Sequence, residues 1–195
     1  MLSESPSFLT AGFFQSAIVP AAPAVNLDRL RAALQRNPPP PGTILVLPEL
    51  WATGFVYKQL GELSRKTPWL LEQLSELAAL HHIVLAGTLV ERIDDERDVL
   101  LYNTLFFSGS NGLQGKIRKQ HLFSFWREDE WLTPGDSPRP VTTASGLVGD
   151  WFVMTCVFQK QPKFNVSRAR VFWLSLRNGL WRGLSSGAPC SRRGP

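Results

Sequence analysis

Three side chains of this sequence stand in settings where they could do chemistry. Glu49 closes the run Ile44-Leu45-Val46-Leu47-Pro48-Glu49. The four apolar residues read as a strand with both faces covered, and Pro48 cannot continue a ladder, so the carboxylate falls at the strand's exit. Lys119 lies in Gly115-Lys116-Ile117-Arg118-Lys119-Gln120-His121-Leu122-Phe123, and Cys156 ends the apolar stretch Trp151-Phe152-Val153-Met154-Thr155-Cys156. Breaking a carbon-nitrogen bond by covalent catalysis needs a nucleophile, a base to activate it, and positive charge where an anion develops. A free thiol, with a pKa near about 8.5, is mostly protonated at neutral pH and needs both kinds of help. Each residue also has a plain structural reading. Glu49 would be a cap or ion-pair partner, Lys119 one member of a solvated basic cluster with Lys116 and Arg118, and Cys156 a buried thiol. Glu128, Asp129 and Glu130 would be a surface acidic turn.

Taken in order, the Leu-Pro-Glu strand exit, the Arg-Lys-x-His-Leu-Phe segment and the apolar strand ending in Cys resemble the Glu-Lys-Cys triad of the nitrilase superfamily of carbon-nitrogen hydrolases. Weaker agreements extend the resemblance: Gln15, Asn26, Gly87 with Glu91, Tyr102-Asn103-Thr104, and Glu128 with Pro134-Gly135-Asp136. It covers residues 12 to 156. The resemblance implies that Cys156 is the nucleophile of a thioester pathway, that Lys119 favours the thiolate and stabilises the tetrahedral intermediate, and that Glu49 is the base. It implies that Glu128 is a further site carboxylate orienting Lys119 or the substrate. The implied substrate is a small amide, with carboxylate-bearing amides ahead of nitriles, and ammonia is released without a cofactor or metal. The implied fold is α/β, an α-β-β-α sandwich, normally dimerised through its helices, and longer than this chain.

The sequence departs from the family directly after Cys156. The family continues Tyr-Asp-x-Arg-Phe-Pro-Glu, a strand-to-helix elbow whose backbone N–H helps to hold the oxyanion, whereas Val157-Phe158-Gln159-Lys160 follows here. Bases straddling the codons from Cys156 to Lys160 permit Arg-Phe-Pro-Glu, and the same offset across Asn178 to Gly183 permits a later family segment. The expectation is a frameshift after codon 156, which divides the chain into a carbon-nitrogen hydrolase part, 12–156, and an aberrant basic tail, 157–195. An inactive fragment lacking the C-terminal half is the alternative to an active hydrolase.

Composition agrees with that division. The net charge is +5, from 21 Lys and Arg against 16 Asp and Glu. Residues 157–195 hold eight of those cations and no acid, which leaves thirteen against sixteen, a net −3, before them. A nucleic-acid arm, with Trp173 or Trp181 stacking on bases, is the other functional reading of this tail, but no binding motif accompanies it. No run of about 18 apolar residues is present, so no membrane span is expected. Ser, Pro, Thr and Gln break up the apolar N-terminus, which argues against a secretory signal. Cys156 and Cys190 read as free thiols of a cytoplasmic protein.

The elements that must position these groups follow from periodicity. Residues 1–11 read as a leader and Gly12 to Val19 as a strand; Asn26 caps a helix with Leu27, Leu30 and Leu34 on one face. Pro38 to Pro41 and Gly42 stop it. Thr67 and Pro68 open a helix carrying Leu70, Leu71, Leu74, Leu77 and Ala78, which His81 and His82 close. Strands follow at Ile83 to Leu89, Leu100 to Phe107 and Leu113 to Ile117, joined by an acidic turn around Asp94 to Asp98 and a Gly-Ser turn from Ser108 to Gly112.

Overall fold

The computed structural model describes residues 10–148 except 96–97 and 137–138. Cys156, Cys190 and the segment 157–195, with the expectations attached to them, lie outside the described residues. The architecture is mixed α/β. Strands β1 (Ala11–Phe13), β2 (Ile44–Val46) and β3 (Val84–Asp94) run parallel, and β4 (Val99–Gly109) and β5 (Gly112–Arg118) add antiparallel to form one sheet of order β1-β2-β3-β4-β5. Parallel neighbours need crossovers, supplied by α1 (Pro23–Arg36) and by the short α2 (Leu60–Leu63) leading into α3 (Thr67–His81). A ribbon of β6 (Val141–Thr143) and β7 (Gly146–Val148) lies beside β5, with Val141 in the core behind it. Gly115 lets it close, since a Cβ there would stand 2.3 Å from Val141 Cγ1.

Helices α1 and α3 cover one face of the sheet, where Leu27, Leu30, Leu70 and Leu74 meet Leu45, Leu85 and Phe106. The other face carries Ile44, Val84, Ala86, Phe107 and Ile117. This is the helical layer and first sheet of the implied sandwich.

Two expected caps turn out otherwise. Pro23, whose fixed φ suits a first helical turn, starts α1, so Asn26 sits buried inside the helix. Its side chain accepts from Val19 N at 2.9 Å and donates to Val19 O and Ala52 O at 2.8 Å each, tying three segments together. Thr67 likewise does not cap α3, because the preceding 3-10 turn runs straight into it; its hydroxyl donates to Val90 O instead. Strand β1 starts at Ala11, inside the segment read as a leader, and ends far short of Val19. Beyond Phe14, the backbone finds its partners in Asn26 and in Thr53 rather than in a ladder.

Candidate active site

The site forms where β2 and β5 end and where β4 turns a polar residue away from the helices. Leu47 N still bonds Ala86 O, then Pro48 ends the pairing and releases Glu49. The next residue, Leu50, has φ 46, a left-handed conformation that costs a non-glycine residue about 1–2 kcal/mol. Thr88 holds it there: its hydroxyl oxygen accepts from Leu50 N at 2.5 Å, while Leu50 O accepts from Thr53 N and Gly54 N.

Lys119 follows the last residue of β5 and is fixed by its own backbone, with Lys119 N donating to Asn103 O and Gly135 N donating to Lys119 O, each at 2.8 Å. Gly135 must be a glycine, because a Cβ would stand 2.3 Å from Arg118 Cβ and 2.8 Å from Arg118 O. Glu128 opens a 3-10 turn directly after Arg127, which has φ 58. Two of the four described non-glycine residues with positive φ therefore flank the two site carboxylates. Strain of this kind concentrates where a side chain must be aimed.

These turns converge on one amine. Lys119 is only 3% exposed, and its Nζ donates to Glu49 Oε1 at 2.7 Å and to Glu128 at 3.1 and 2.9 Å. Glu128 is fully buried, so it is no surface turn residue; Phe123 N gives it a further hydrogen bond at 2.7 Å. Asp129 and Glu130 stay exposed. Asn103 Nδ2 donates to Glu49 Oε1 at 2.7 Å and Glu128 Oε1 at 3.2 Å, so the amide and the ammonium grip the same pair of oxygens. Glu49 keeps 20% of its side chain open to solvent. The structure thus brings Glu49, Lys119 and Glu128 together, while Cys156 lies outside the described residues.

Lys119 does not belong to a basic cluster with its neighbours. Lys116 and Arg118 point to the helix-covered face and bind Glu91, at 2.5 Å from Lys116 Nζ and 2.9 Å from Arg118 Nε and NH2. Two residues escaped the sequence reading as site members. Asn103 entered the resemblance only within Tyr102-Asn103-Thr104, with no role given to it, although a polar residue inside the apolar strand Leu100 to Phe107 is informative. Tyr57 carried no signal at all. Its hydroxyl is buried without a hydrogen-bond partner among the described residues, and burial, then the charges of Glu128 and Glu49, push its pKa up to about 12.

Comparison with known proteins places this arrangement. The family profile described as carbon-nitrogen hydrolase matches residues 10–165, a range that includes Cys156. The omega-amidase NIT3 of Saccharomyces cerevisiae is 28% identical over 159 residues, 74% of this chain and 54% of that protein. Its crystal structure, as a member of branch 10 of the nitrilase superfamily, superposes with a TM-score of 0.53 over 69% of this chain and 51% of that one. The 2-oxoglutaramate amidase of Bacillus subtilis is 31% identical over 97 residues, 47% of this chain and 35% of that protein. A carbon-nitrogen hydrolase from Helicobacter pylori, 24% identical, shares the fold with a TM-score of 0.60 over 72% of this chain and 50% of its own. The chain spans about half the length of the yeast relative and of these structures, and about a third of the Bacillus one. With four-fifths of its residues inside the matched profile and the sheet of the superfamily around them, this chain belongs to the carbon-nitrogen hydrolase family.

Proposed function

We propose that the chain encodes a hydrolase of small amides that works through Cys156, Lys119, Glu49 and Glu128. The observation that carries this reading is the buried amine of Lys119 held at 2.7 and 2.9 Å from two carboxylates that come from separate loops. Burying such a group is costly without a purpose-built set of partners. The names of the yeast and Bacillus relatives support the amidase class.

In this mechanism Glu49 takes the thiol proton of Cys156, and the thiolate sulfur attacks the amide carbon while the carbonyl π electrons move onto oxygen. Lys119 donates to that oxyanion. The carbonyl re-forms as the C–N bond breaks; the nitrogen leaves as ammonia with the proton from Glu49, and an acyl thioester remains. Glu49 then takes a proton from water, the hydroxide attacks the thioester, and the C–S bond breaks. The acid departs and the thiolate recovers its proton. Glu128 and Asn103 hold Lys119 and Glu49 through both halves. Ammonia release from a simple amide that disappears in Cys156→Ala supports the reading; release that persists undiminished removes it.

A second reading rests on length. The aligned stretch covers 54% of the yeast relative, and the alternative is an inactive fragment in which the carboxylate–lysine cluster is built but unused. A cooperatively folded protein that releases no ammonia from any short amide would favour it.

A further inference from the structure

Glu91 is a buried carboxylate that the proposed mechanism does not use. It stands on β3 and is 6% exposed. Each of its oxygens accepts two hydrogen bonds: Oε1 from Lys116 Nζ at 2.5 Å and Arg118 Nη2 at 2.9 Å, and Oε2 from Arg118 Nε at 2.9 Å and Thr104 Oγ1 at 3.0 Å. The Arg118 guanidinium is thus gripped as a fork, and the Tyr102 ring lies 3.9 Å from it on its flat side. Register explains the convergence, since Glu91 stands across from Tyr102 and Thr104 across from Arg118.

The pair Thr104 and Arg118 is the last of the β4–β5 ladder, and the residue after it is Lys119. Consecutive side chains of a strand turn to opposite faces. Arg118 is therefore tied on one side of the sheet while Lys119 reaches Glu49 and Glu128 on the other. Strand β4 repeats the division: Tyr102 and Thr104 serve the Glu91 side, and Asn103 between them serves the carboxylates of the site. A shift of Arg118 passes through one rigid peptide to the Cα of Lys119, and hydrogen bonds of 2.7 and 2.9 Å tolerate little displacement. Apolar packing would hold β5 against the sheet at least as well, because a buried charge pair adds little net stability over it. What four directional bonds add is orientation. We infer that Glu91 is a positioning residue: acting through Arg118 across the sheet, it aims the amine of Lys119 at Glu49 and at the reacting carbonyl. The inference rests on the amidase reading for the chemistry Lys119 performs, but the placing of the amine is measurable without turnover.

The test measures how readily a reagent reaches Lys119 in the full 195-residue chain and in Glu91→Gln. Brief treatment with acetic anhydride followed by peptide mass spectrometry gives a rate for each lysine, with exposed Lys58 as the internal reference. Leu74→Ala, far from the knot and under the helices, is the control for lost stability. The expected result is acetylation of Lys119 about tenfold faster in Glu91→Gln, with Lys58 unmoved and Lys119 in Leu74→Ala within about twofold of native. An unmoved Lys119 in Glu91→Gln overturns the inference. So does an equal rise in Leu74→Ala, which would make the effect a general loosening. Should Glu91→Gln not fold, the gentler Thr104→Val removes a single donor to Glu91; a rise of about threefold at Lys119 upholds the inference and no rise overturns it. Where the native chain hydrolyses butanamide, kcat of Glu91→Gln should fall about tenfold with KM within about twofold, because Lys119 acts on the oxyanion, and Leu74→Ala should keep its kcat. An unchanged kcat in Glu91→Gln overturns the inference and leaves the amidase reading standing. If no amide is hydrolysed, the amidase reading falls, and the acetylation rates decide the placing of Lys119 by themselves.

Discussion

Asn103 shows what the arrangement demands of a single residue. Its one amide nitrogen serves two carboxylate oxygens, at 2.7 and 3.2 Å, which Lys119 also contacts. Leucine has nearly the same size and no donor. Asn103→Leu should therefore leave both carboxylates with fewer partners inside the protein, at a cost of about 2 kcal/mol in urea unfolding. Ammonia release should fall by about tenfold to a hundredfold, because Glu49 loses one of its two restraints and small misplacements of a base are expensive. Full activity with lowered stability would show that Lys119 alone aims Glu49. The residues with a reactive group were legible from their neighbours: Glu49 from the proline behind it and Lys119 from the strand before it. The role of Asn103, which the resemblance included without one, and the presence of Tyr57 were not, because their importance lies in what the folded chain places beside them. No local pattern in Tyr57-Lys58-Gln59 states that its hydroxyl will be buried within the field of Glu49 and Glu128.

At the scale of elements, the end of β5 is held from both sides. Arg118 and Lys119 are adjacent and face opposite ways, one towards Glu91 and the other towards Glu49 and Glu128. Glu91 on β3 also accepts from Thr104 on β4 at 3.0 Å, and the Arg118 guanidinium lies 3.9 Å over the Tyr102 ring, so three strands share one knot. Burial on its own would raise the Glu91 pKa. The hydrogen bonds from Arg118, Lys116 and Thr104 and the Lys116 charge outweigh it and bring the pKa down from 4.5 to about 2. A carboxylate depressed in the folded state contributes stability that is present above its unfolded pKa and lost as pH falls through its folded one. The knot's contribution, on the order of 2 kcal/mol after allowing for a half-exposed Lys116, should be whole at pH 7 and fade between about pH 4.5 and 2. Urea midpoints recorded from pH 7 to 3 should show this. Glu91→Gln should lower the midpoint at pH 7 and flatten the acid limb; an acid limb as steep as in the native chain would sink the assignment. Periodicity predicted the strands that meet here, yet it erred at α1 and α3. Proline at the first turn and a preceding 3-10 turn outcompeted the side-chain caps, and both freed side chains became ties between segments.

For the whole molecule, neighbouring residues feed opposite cores. Leu45 and Leu85 join the helix-side core while Ile44 and Val84 join the other; Phe106 and Phe107 divide the same way. This alternation was readable as strand-like apolar runs, but which face met the helices depended on register, and that is fixed only by long-range pairing. The chain spans about half the length of the yeast relative, so whether its described part unfolds as a unit bears on both functional readings. Leu74→Ala under the helices and Phe107→Ala on the opposite face each remove a side chain buried to within 1%. They should cost about 2–5 and 3–5 kcal/mol respectively, a large share of the ~5–15 kcal/mol that holds a domain together. Because β2, β3 and β4 contribute to both cores, no plane exists along which one face can melt while the other survives. Both variants should shift one and the same transition, with far-ultraviolet circular dichroism and tryptophan fluorescence superimposing. If instead Phe107→Ala moves only an early fluorescence step and leaves the circular dichroism midpoint in place, the face opposite the helices is a separate unit. The carboxylate–lysine cluster draws Glu49 from the exit of β2 and Lys119 from the end of β5, so it would then come apart before the helix-covered sheet does.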